Sequence, residues 1–497
     1  MAAAGTGNSS SSSSISDFPR SRNPFSDSNA ALPNASPSES GEKSQPKRHS
    51  SQRPSLSSRA SSYGAHPRAK KHRFVSYRLR EVYEQPWLGD KRLKAWKRNN
   101  YVVYGAMFIA MGVIGFFGYY GTIRGVPKHD YCLVLDENFK SLDSATWNHE
   151  VQVSRARPRD SLDWKLTPNQ IDGFGTGTFD WTTDDTKNAF VDGEGLHIVP
   201  TLTTETTSIT EAQILDGYAL NLTQSGGDGT CTGSSISSCS IRSNATTGAI
   251  INPVRSARLN TKGKKSIKYG RVEVVAKLPK GDWIWPAIWM MPENSVYGQW
   301  PASGEIDIME AKGNDHKYPY GRDYFNSALH WGPTSKTDAY LRTTGINRIR
   351  RTDFAEGYHT FGLEWSEKYL FTYRDSRLRQ VFYTNFDQSY GTMWQRGYFS
   401  QMTENNTLLT DPWSKTGRYN TPFDEDFYLV LNVAVGSRNG WFTNNVGGKP
   451  WIDADGGAMR QFWQASDEWL PTWGQGNDRG MTIKSVKMWQ EKGYRGC

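Results

Sequence analysis

The chain has 497 residues, a net charge of +9 and 36% hydrophobic residues, which is enough for one large domain with appendages or for several smaller domains. The positive charge is concentrated in residues 1–100, which carry 18 Lys and Arg against 7 Asp and Glu, whereas the remaining residues carry 41 against 43. Because the rest of the chain is close to neutral, the basic isoelectric point does not indicate a nucleic-acid partner.

Residues 1–100 form a basic tail rich in Ser and Pro, with six consecutive serines from Ser9 to Ser14. The segment has few apolar residues from which a core could be built. It therefore predicts a disordered region, of a composition suited to phosphorylation or sorting signals.

Residues 101–123 contain no charged side chain. At about 1.5 Å per residue, a helix of this length crosses the ~30 Å hydrocarbon core of a membrane, and it lies too far from the N-terminus for a cleaved signal peptide. Five basic residues precede it between Lys91 and Arg98, and a short linker, residues 124–130, follows it. The positive-inside rule then predicts a single-pass type II signal anchor with residues 131–497 lumenal or extracellular. The sequence leaves open whether the protein resides in the endoplasmic reticulum, the Golgi or the plasma membrane.

The cysteines and the glycosylation sequons agree with this orientation. All four cysteines follow the anchor, as expected in an oxidising lumen. Of the three pairings that four cysteines allow, we favour Cys231–Cys239, which closes a short Gly/Ser loop, and Cys132–Cys497, which joins the two ends of the domain. Free buried thiols are the alternative. Three sequons on the same side predict N-glycosylation: Asn221, Asn244 and Asn405.

Residues 131–497 are predicted to form many short strands separated by Gly, Asn, Asp and Pro turns. Alternating patterns in GRVEVVAKLP (270–279) and YLFTYRDS (369–376) indicate strands with one covered face, and FYLVLNVAV (427–435) suits a strand covered on both faces. We therefore predict an all-β fold, a β-sandwich or jelly roll. The Gly-, Ser- and Thr-rich stretch 201–247 is predicted to be an inserted loop.

The sequence EIDIME places three carboxylates, Glu305, Asp307 and Glu310, among apolar residues. Ionised acids framed by apolar surface are costly unless they serve a purpose, which argues against a solvated edge strand. On a regular strand Glu310 would point away from the other two acids. A β-bulge at Ile308–Met309 would return it to their face.

Two carboxyl groups about 5–5.5 Å apart are what retaining glycoside hydrolysis requires, one as nucleophile and one as general acid/base. A third carboxylate between them can tune both neighbours. A solvated acidic edge and a three-carboxylate metal site are the alternatives. Because the run holds no His and hard-metal sites usually involve turns, no metal is expected here.

EIDIME, flanked by Gly304 and Ala311, resembles the E-x-D-x-x-E signature of glycoside hydrolase family 16, the laminarinase-type β-glucanases. The resemblance extends to four further segments in family order, residues 269–292, 358–375, 427–437 and 481–490. It implies a concanavalin-like β-jelly-roll sandwich over residues 131–497.

The same resemblance implies roles for individual residues. Glu305 would be the nucleophile, Asp307 the helper and Glu310 the general acid/base. The residues implied in sugar binding are Trp285 and Trp289, which would stack on glucosyl rings, and the cleft pair His330 and Trp331.

With its anchor, its basic tail and the segments YCLVLDENF (131–139) and GFGTGTFDWTT (173–183), the chain looks most similar to the fungal type II membrane proteins required for cell-wall β-1,6-glucan synthesis. This resemblance implies a β-glucan partner and no required cofactor, and it leaves a structural Ca²⁺ open. Hydrolase and transglycosylase are both compatible with the motif. A non-catalytic β-glucan-binding protein and a scaffold for wall synthesis are the alternatives.

Overall fold

The computed structural model describes residues 84–124, 128–153 and 176–497. Most of the predicted tail and part of the predicted linker therefore lie outside the described residues. The first elements are a short 3₁₀ turn, Pro86–Gly89, and a 34-residue helix, α1, Lys91–Arg124.

Helix α1 contains the whole predicted anchor and is long and apolar enough to cross a membrane, by length and composition. It begins ten residues earlier than the apolar run, so the prediction of disorder up to residue 100 is wrong for residues 91–100. No Gly or Pro interrupts these residues, and the Asp90 carboxylate accepts a hydrogen bond from the Arg92 N–H at 2.8 Å. Extending an existing helix costs much less than nucleating one, so the helix formed by the apolar run extends towards the N-terminus.

The described strands after the anchor are, in chain order, β1 Tyr131–Glu137, β2 Asn148–His149, β3 Asp180–Thr182, β4 Ala189–Asp192, β5 Gly195–Ile198, β6 Thr201–Leu202, β7 Ala219–Asn221, β8 Ser240–Arg242, β9 Val254–Ser256, β10 Arg258–Asn260, β11 Ser266–Ile267, β12 Gly270–Lys277, β13 Ile284–Pro292, β14 Glu305–Ala311, β15 Tyr324–His330, β16 Thr344–Arg348, β17 His359–Trp365, β18 Tyr369–Arg374, β19 Gln380–Asn385, β20 Thr403–Glu404, β21 Thr407–Leu408, β22 Phe427–Val435 and β23 Met481–Glu491.

The helices among these strands are short. The α-helices are α2 Thr203–Thr206, α3 Glu211–Leu215, α4 Ile236–Cys239, α5 Met393–Gly397, α6 Ala458–Gln464 and α7 Ser466–Trp469. Single 3₁₀ turns cover Ser335–Thr337, Tyr340–Arg342, Gln388–Tyr390, Phe399–Gln401, Leu470–Thr472 and Gly476–Arg479.

Two antiparallel sheets of eight strands form a sandwich. The first, called the site sheet, has the order β16-β15-β14-β13-β22-β10-β2, with β11 also paired to β22. The second has the order β19-β18-β17-β12-β23-β5-β4, with β1 also paired to β23. The all-β sandwich predicted from the sequence is confirmed.

Aromatic side chains pack between the two sheets. Phe325 of β15 lies with its ring centre 5.1 Å from that of Phe361 of β17, and Trp365 of β17 lies 5.4 Å from Phe427 of β22. Strand β22 is buried along both faces except at Asn432, as its uninterrupted apolar run predicts. A strand that is buried on both faces suits the interior of a sheet, and β22 lies at the centre of the site sheet.

The structure contains both predicted disulfides. Cys132–Cys497 has a Cα–Cα distance of 5.8 Å and joins β1 to the last residue of the chain. Cys231–Cys239 has a Cα–Cα distance of 5.5 Å and closes the short loop before β8.

The stretch 201–247 is not the plain inserted loop that its composition suggested. It contains α2, α3, α4 and the β7–β8 hairpin. Ile214 and Leu222 are fully buried in the main hydrophobic core. The apolar residues spaced among the Ser and Thr residues therefore anchor this stretch to the sandwich.

The three sequons differ in their environments. Asn244 and Asn405 are exposed, and Asn405 lies in the turn between β20 and β21. Asn221 is half-buried, and its amide N–H donates to the Gly226 carbonyl at 2.9 Å. Asn244 and Asn405 are therefore the more accessible acceptors.

Candidate active site

The predicted bulge lies in β14, at the centre of the acidic motif. Asp307 is opposite Ala328 of β15 and Glu310 is opposite Asn326, so the two residues Ile308–Met309 share one partner position. The register of β14 against β13 shifts at the same place. The bulge predicted at Ile308–Met309 is confirmed.

A side chain pairs with one carbonyl of the bulge. The Ser327 hydroxyl donates to the Ile308 carbonyl at 2.7 Å. Ile308 and Met309 are 1% and 0% exposed, so they pack in the core between the sheets. With the apolar residues placed there, the three carboxyls face the opposite side of the site sheet.

Glu305 lies at the start of β14 and is held from the side by an indole. The Trp300 Nε1–H donates to Glu305 Oε2 at 2.8 Å. Trp300 itself is 41% exposed. The carboxylate is thereby fixed in orientation next to a ring that remains open to a ligand.

His330, at the end of β15, connects the acidic residues to a fourth carboxylate. Its Nε2 lies 3.2 Å from Asp307 Oδ2 and 3.9 Å from Glu305 Oε1, and its Nδ1 lies 2.5 Å from Asp338 Oδ2. The ring also stacks on Tyr340 at 5.0 Å. With a carboxylate at each nitrogen, the imidazole is held as a cation.

Glu310 is 9% exposed and receives two hydrogen bonds. The Trp285 Nε1–H donates to its Oε1 at 3.1 Å, and the Asn326 amide donates to its Oε2 at 3.3 Å. Asn326 comes from β15 and Trp285 from β13, so Glu310 is positioned by both neighbouring strands.

The pKa values of the three carboxyls are all raised. Burial, with the charge of Asp307 added, raises the pKa of Glu305 to about 8. Burial and the charge of Glu310 raise the pKa of Asp307 to about 6. Burial, with the charge of Glu305 added, also raises the pKa of Glu310. Glu305 and Asp307 interact closely, so their titrations belong to the pair and not to one residue.

The charge of His330 opposes this rise in the pKa values of the three carboxyls. Burial acts to lower the pKa of His330, but its contacts with Asp307 and Asp338 raise that pKa well above 6.5. The resulting positive charge lowers the pKa of Glu305, Asp307 and Glu310. The cation makes it easier for one carboxyl to ionise while another keeps its proton.

Within the described residues, Glu305, Asp307 and His330 form a group of metal-ligand type, with their ligand atoms within 4.8 Å of one another. Two carboxylates and an imidazole suit several divalent ions. A metal, however, requires the imidazole to be neutral, whereas Asp307 and Asp338 favour its cationic form. The residues therefore fit a protonated histidine better than a metal ion.

The predicted sugar-binding residues do not all face the acids. Trp331 is 0% exposed, and its Nε1–H donates to the Thr343 hydroxyl at 2.7 Å. It follows His330 directly, so strand alternation turns its side chain into the core. The prediction that Trp331 contacts sugar is therefore wrong.

Trp285 and Trp289 lie on the face of the acids but are engaged by protein groups. One face of Trp285 is stacked on Trp441, with ring centres 4.8 Å apart and an angle of 14°. The Trp289 Nε1–H donates to Asn432 at 2.8 Å, and the Arg258 guanidinium lies 4.6 Å from the ring centre. Their role in sugar stacking stays a prediction.

Sequence reasoning missed several groups that contact the site residues, among them Trp300, Asn326, Asp338 and Trp441. Trp300 precedes Glu305 by only five residues and could have been considered from its position. Asn326 can be found once β15 is paired with β14. Asp338 and Trp441 lie outside the strands of the site sheet and carry no local signal.

Comparison with known proteins agrees with the fold and the motif. The family model of glycosyl hydrolases family 16 matches residues 228–421. A β-1,3-glucan-binding protein of Penaeus monodon is 35% identical over 366 residues, which are 72% of this chain and 90% of that protein. The chain belongs to glycosyl hydrolases family 16.

Two further matches differ in extent. A glucan endo-1,3-β-glucosidase A1 of Niallia circulans is 38% identical over 181 residues, 36% of this chain and 22% of that protein. The solved laminarinase catalytic domain of Thermotoga maritima aligns at 22% identity with a TM-score of 0.40, covering 73% of this chain and 99% of its own.

Proposed function

We propose that the protein is a membrane-anchored, retaining β-glucan hydrolase or transglycosylase. The observation that carries this proposal is the bulge in β14, which brings Glu305, Asp307 and Glu310 to one face of the site sheet. Each of the two outer acids is held by a separate indole N–H, from Trp300 and Trp285. A solvated acidic edge would need neither the bulge nor these donors.

In the first step, the Glu305 carboxylate attacks the anomeric carbon while Glu310 gives its proton to the leaving glycosidic oxygen. The bond between the anomeric carbon and that oxygen breaks, and a glycosyl ester with Glu305 forms. Burial raises the pKa of Glu310, which favours the protonated form that this step requires. The Trp300 N–H holds the attacking carboxylate in position.

In the second step, Glu310 accepts a proton from water or from a sugar hydroxyl, whose oxygen attacks the anomeric carbon and releases Glu305. Water gives hydrolysis, and a sugar hydroxyl gives transglycosylation. Asp307 and the His330 cation lie beside the nucleophile throughout. The negative charge that Glu305 loses in the first step appears on Glu310, so the total charge of the site stays the same, and the His330 cation offsets part of it.

β-1,3-Glucan is the proposed substrate class, because the names of the matched relatives refer to β-1,3-glucan. A role in fungal cell-wall β-1,6-glucan synthesis rests only on the resemblance of the anchor, tail and short segments noted above. We propose it as the biological setting of the same chemistry. The type II orientation, which agrees with the basic flank of α1 and with the two disulfides, is part of this proposal.

A second function, glucan binding without catalysis, is favoured by one observation. Relatives from Penaeus monodon and Drosophila melanogaster are named a β-1,3-glucan-binding protein and a Gram-negative bacteria-binding protein 1. In this chain, however, the full set of three acids is present with its positioning donors. A binding site alone would not need two carboxyls with raised pKa values.

The test is to incubate the detergent-solubilised full chain with defined β-1,3- and β-1,6-gluco-oligosaccharides and to size the products. Wild type should give shortened or lengthened products, and Glu305→Gln should give none. Glu356→Gln removes an exposed acid paired with Lys280 and serves as the matched control. If wild type retains oligosaccharides but leaves every length unchanged, the binding function replaces the catalytic one.

A further inference from the structure

Lys312 continues the row of charged groups on the face of the acids. Because Ala311 alternates to the other side, Lys312 follows Glu310 on the same face. Lys312 is half-buried, and among the described residues no carboxylate lies within ion-pair distance of it. Its Nζ instead lies 3.8 Å from the ring centre of Trp441.

Trp441 connects this cation to the acidic site. Its ring stacks on Trp285 at 4.8 Å, and the Trp285 N–H donates to Glu310 at 3.1 Å. The four groups thus form a continuous contact path from Lys312 through two indoles to Glu310. A cation over an indole face is attracted by the electron density of the ring, most strongly where water is excluded.

The charges of Lys312 and Glu310 also affect each other directly. Burial lowers the pKa of Lys312 to about 8, and the charge of Glu310 opposes that shift. The titratable groups that act on Glu310 are Glu305 and Asp307 on its own strand, His330 on β15, and Lys312. The two cations favour the ionised form of Glu310, and the two acids oppose it.

We propose that Lys312 is a positioning residue for the general acid/base: it holds Trp441 against Trp285, which orients Glu310, and its charge stabilises Glu310 after the proton has left. This inference rests on the proposed glycosidase function. Proton donation to a poor leaving group leaves Glu310 negative. Without Lys312, that state is less favourable and Glu310 becomes a weaker acid.

The experiment compares wild type with Lys312→Met in the full chain. Removing the cation should raise the pKa of Glu310, so the basic limb of kcat/KM against pH should move up by about 0.5 unit or more. The rate on an unactivated β-1,3-glucan should fall by about 10-fold. The rate on a dinitrophenyl glycoside, whose departure needs no proton, should fall much less.

Lys312→Arg keeps a cation over the ring and should return the limb towards its wild-type pH. Lys487→Met is the matched control, since it removes a lysine from β23 of the second sheet, where Lys487 pairs with Asp136. If Lys312→Met does not fold, Lys312→Gln is used. The proposal is overturned if the basic limb of kcat/KM does not move and the rates on both substrates fall equally. That result would show that Lys312 acts only in packing.

A second readout separates this inference from the proposed function. The pKa of Glu310 is measured by ¹³C NMR, with its signal assigned by loss in Glu310→Gln. If wild type proves inactive, the proposed function fails, but a higher Glu310 pKa in Lys312→Met still supports the contact path. An active wild type with an unchanged Glu310 pKa in Lys312→Met refutes only the role of Lys312.

Discussion

His330 Nε2 lies 3.2 Å from Asp307 Oδ2, which places a half-buried histidine beside the middle acid of the motif. The other ring nitrogen contacts Asp338, so carboxylates flank the imidazole on both sides. The cation offsets part of the negative charge that the three acids of β14 bring together. It thereby controls which of them can ionise.

Replacing His330 by Gln should shift the pH dependence of activity. Loss of the cation raises the pKa of Glu305, so the proposed nucleophile ionises at higher pH and the acid limb of kcat/KM should move up by about one unit. Below this limb the rate should fall about tenfold, because one pKa unit changes the ionised fraction tenfold. His359→Gln, which removes a histidine paired with Asp375, is the control. An acid limb unmoved in His330→Gln would contradict this role.

Glu305→Gln should stabilise the fold at alkaline pH. Burial raises the pKa of Glu305 from 4.5 to about 8, so between these values the folded state holds a proton that the unfolded state has lost. The free energy of unfolding therefore falls as pH rises through this window. The variant should exceed wild type in stability at pH 8 by up to about 4 kcal/mol, since each pKa unit corresponds to about 1.4 kcal/mol, and the gap should close towards pH 4.5.

Thermal unfolding in detergent at a series of pH values measures this difference. Glu356→Gln should show no such pH-dependent gain, since its carboxylate is exposed and paired with Lys280. A Tm for Glu305→Gln below that of wild type at pH 8 would show that the ionised Glu305 does not strain the fold.

The motif shows how far the sequence could predict the site. The interval between Asp307 and Glu310 conflicts with strand alternation, and the bulge is the smallest change that resolves the conflict. The bulge, the sandwich and both disulfide pairings could therefore be predicted. The burial of the Trp331 side chain could not be predicted. The family resemblance gives its position in the sequence, but the face of the sheet to which it points depends on where β15 ends. Asp338 and Trp441 reach the site from loops, whose paths no local pattern determines.

Changing the length of the bulge tests whether the bulge sets the register that brings Glu310 to the face of the other two acids, or serves only packing. Deleting Met309 shortens the spacing from Glu305 to the third acid from five residues to four, and an even spacing keeps both acids on one face by alternation alone. We expect partial activity from this deletion. Inserting one residue after Ile308 requires a second compensation in the strand, and we expect activity to be lost. Circular dichroism should show both variants folded. Equal activity in the two variants would mean that the bulge does not set the position of Glu310.

The orientation of the chain can be tested through its sequons. If residues 131–497 are lumenal, endoglycosidase should increase the mobility of the full-length protein. Asn244→Gln and Asn405→Gln should each remove a glycan, since both side chains are exposed. Asn221→Gln should have less effect, because its amide is bonded to Gly226. Unchanged mobility of the wild-type protein after treatment would contradict the type II orientation.

The roles of Glu305 and Glu310 can be tested by azide rescue of Glu310→Ala with an activated aryl β-gluco-oligoside. The activated leaving group departs without the missing acid, and the glycosyl–Glu305 ester accumulates. Azide, which needs no general base, should attack this ester and restore the rate. The measurement is the anomeric configuration of the glycosyl azide by ¹H NMR. A glycosyl–Glu305 intermediate should give the β-azide, formed by two inversions. The α-azide, or no rescue in a folded variant, would contradict the assignment of Glu305 as nucleophile and Glu310 as acid/base.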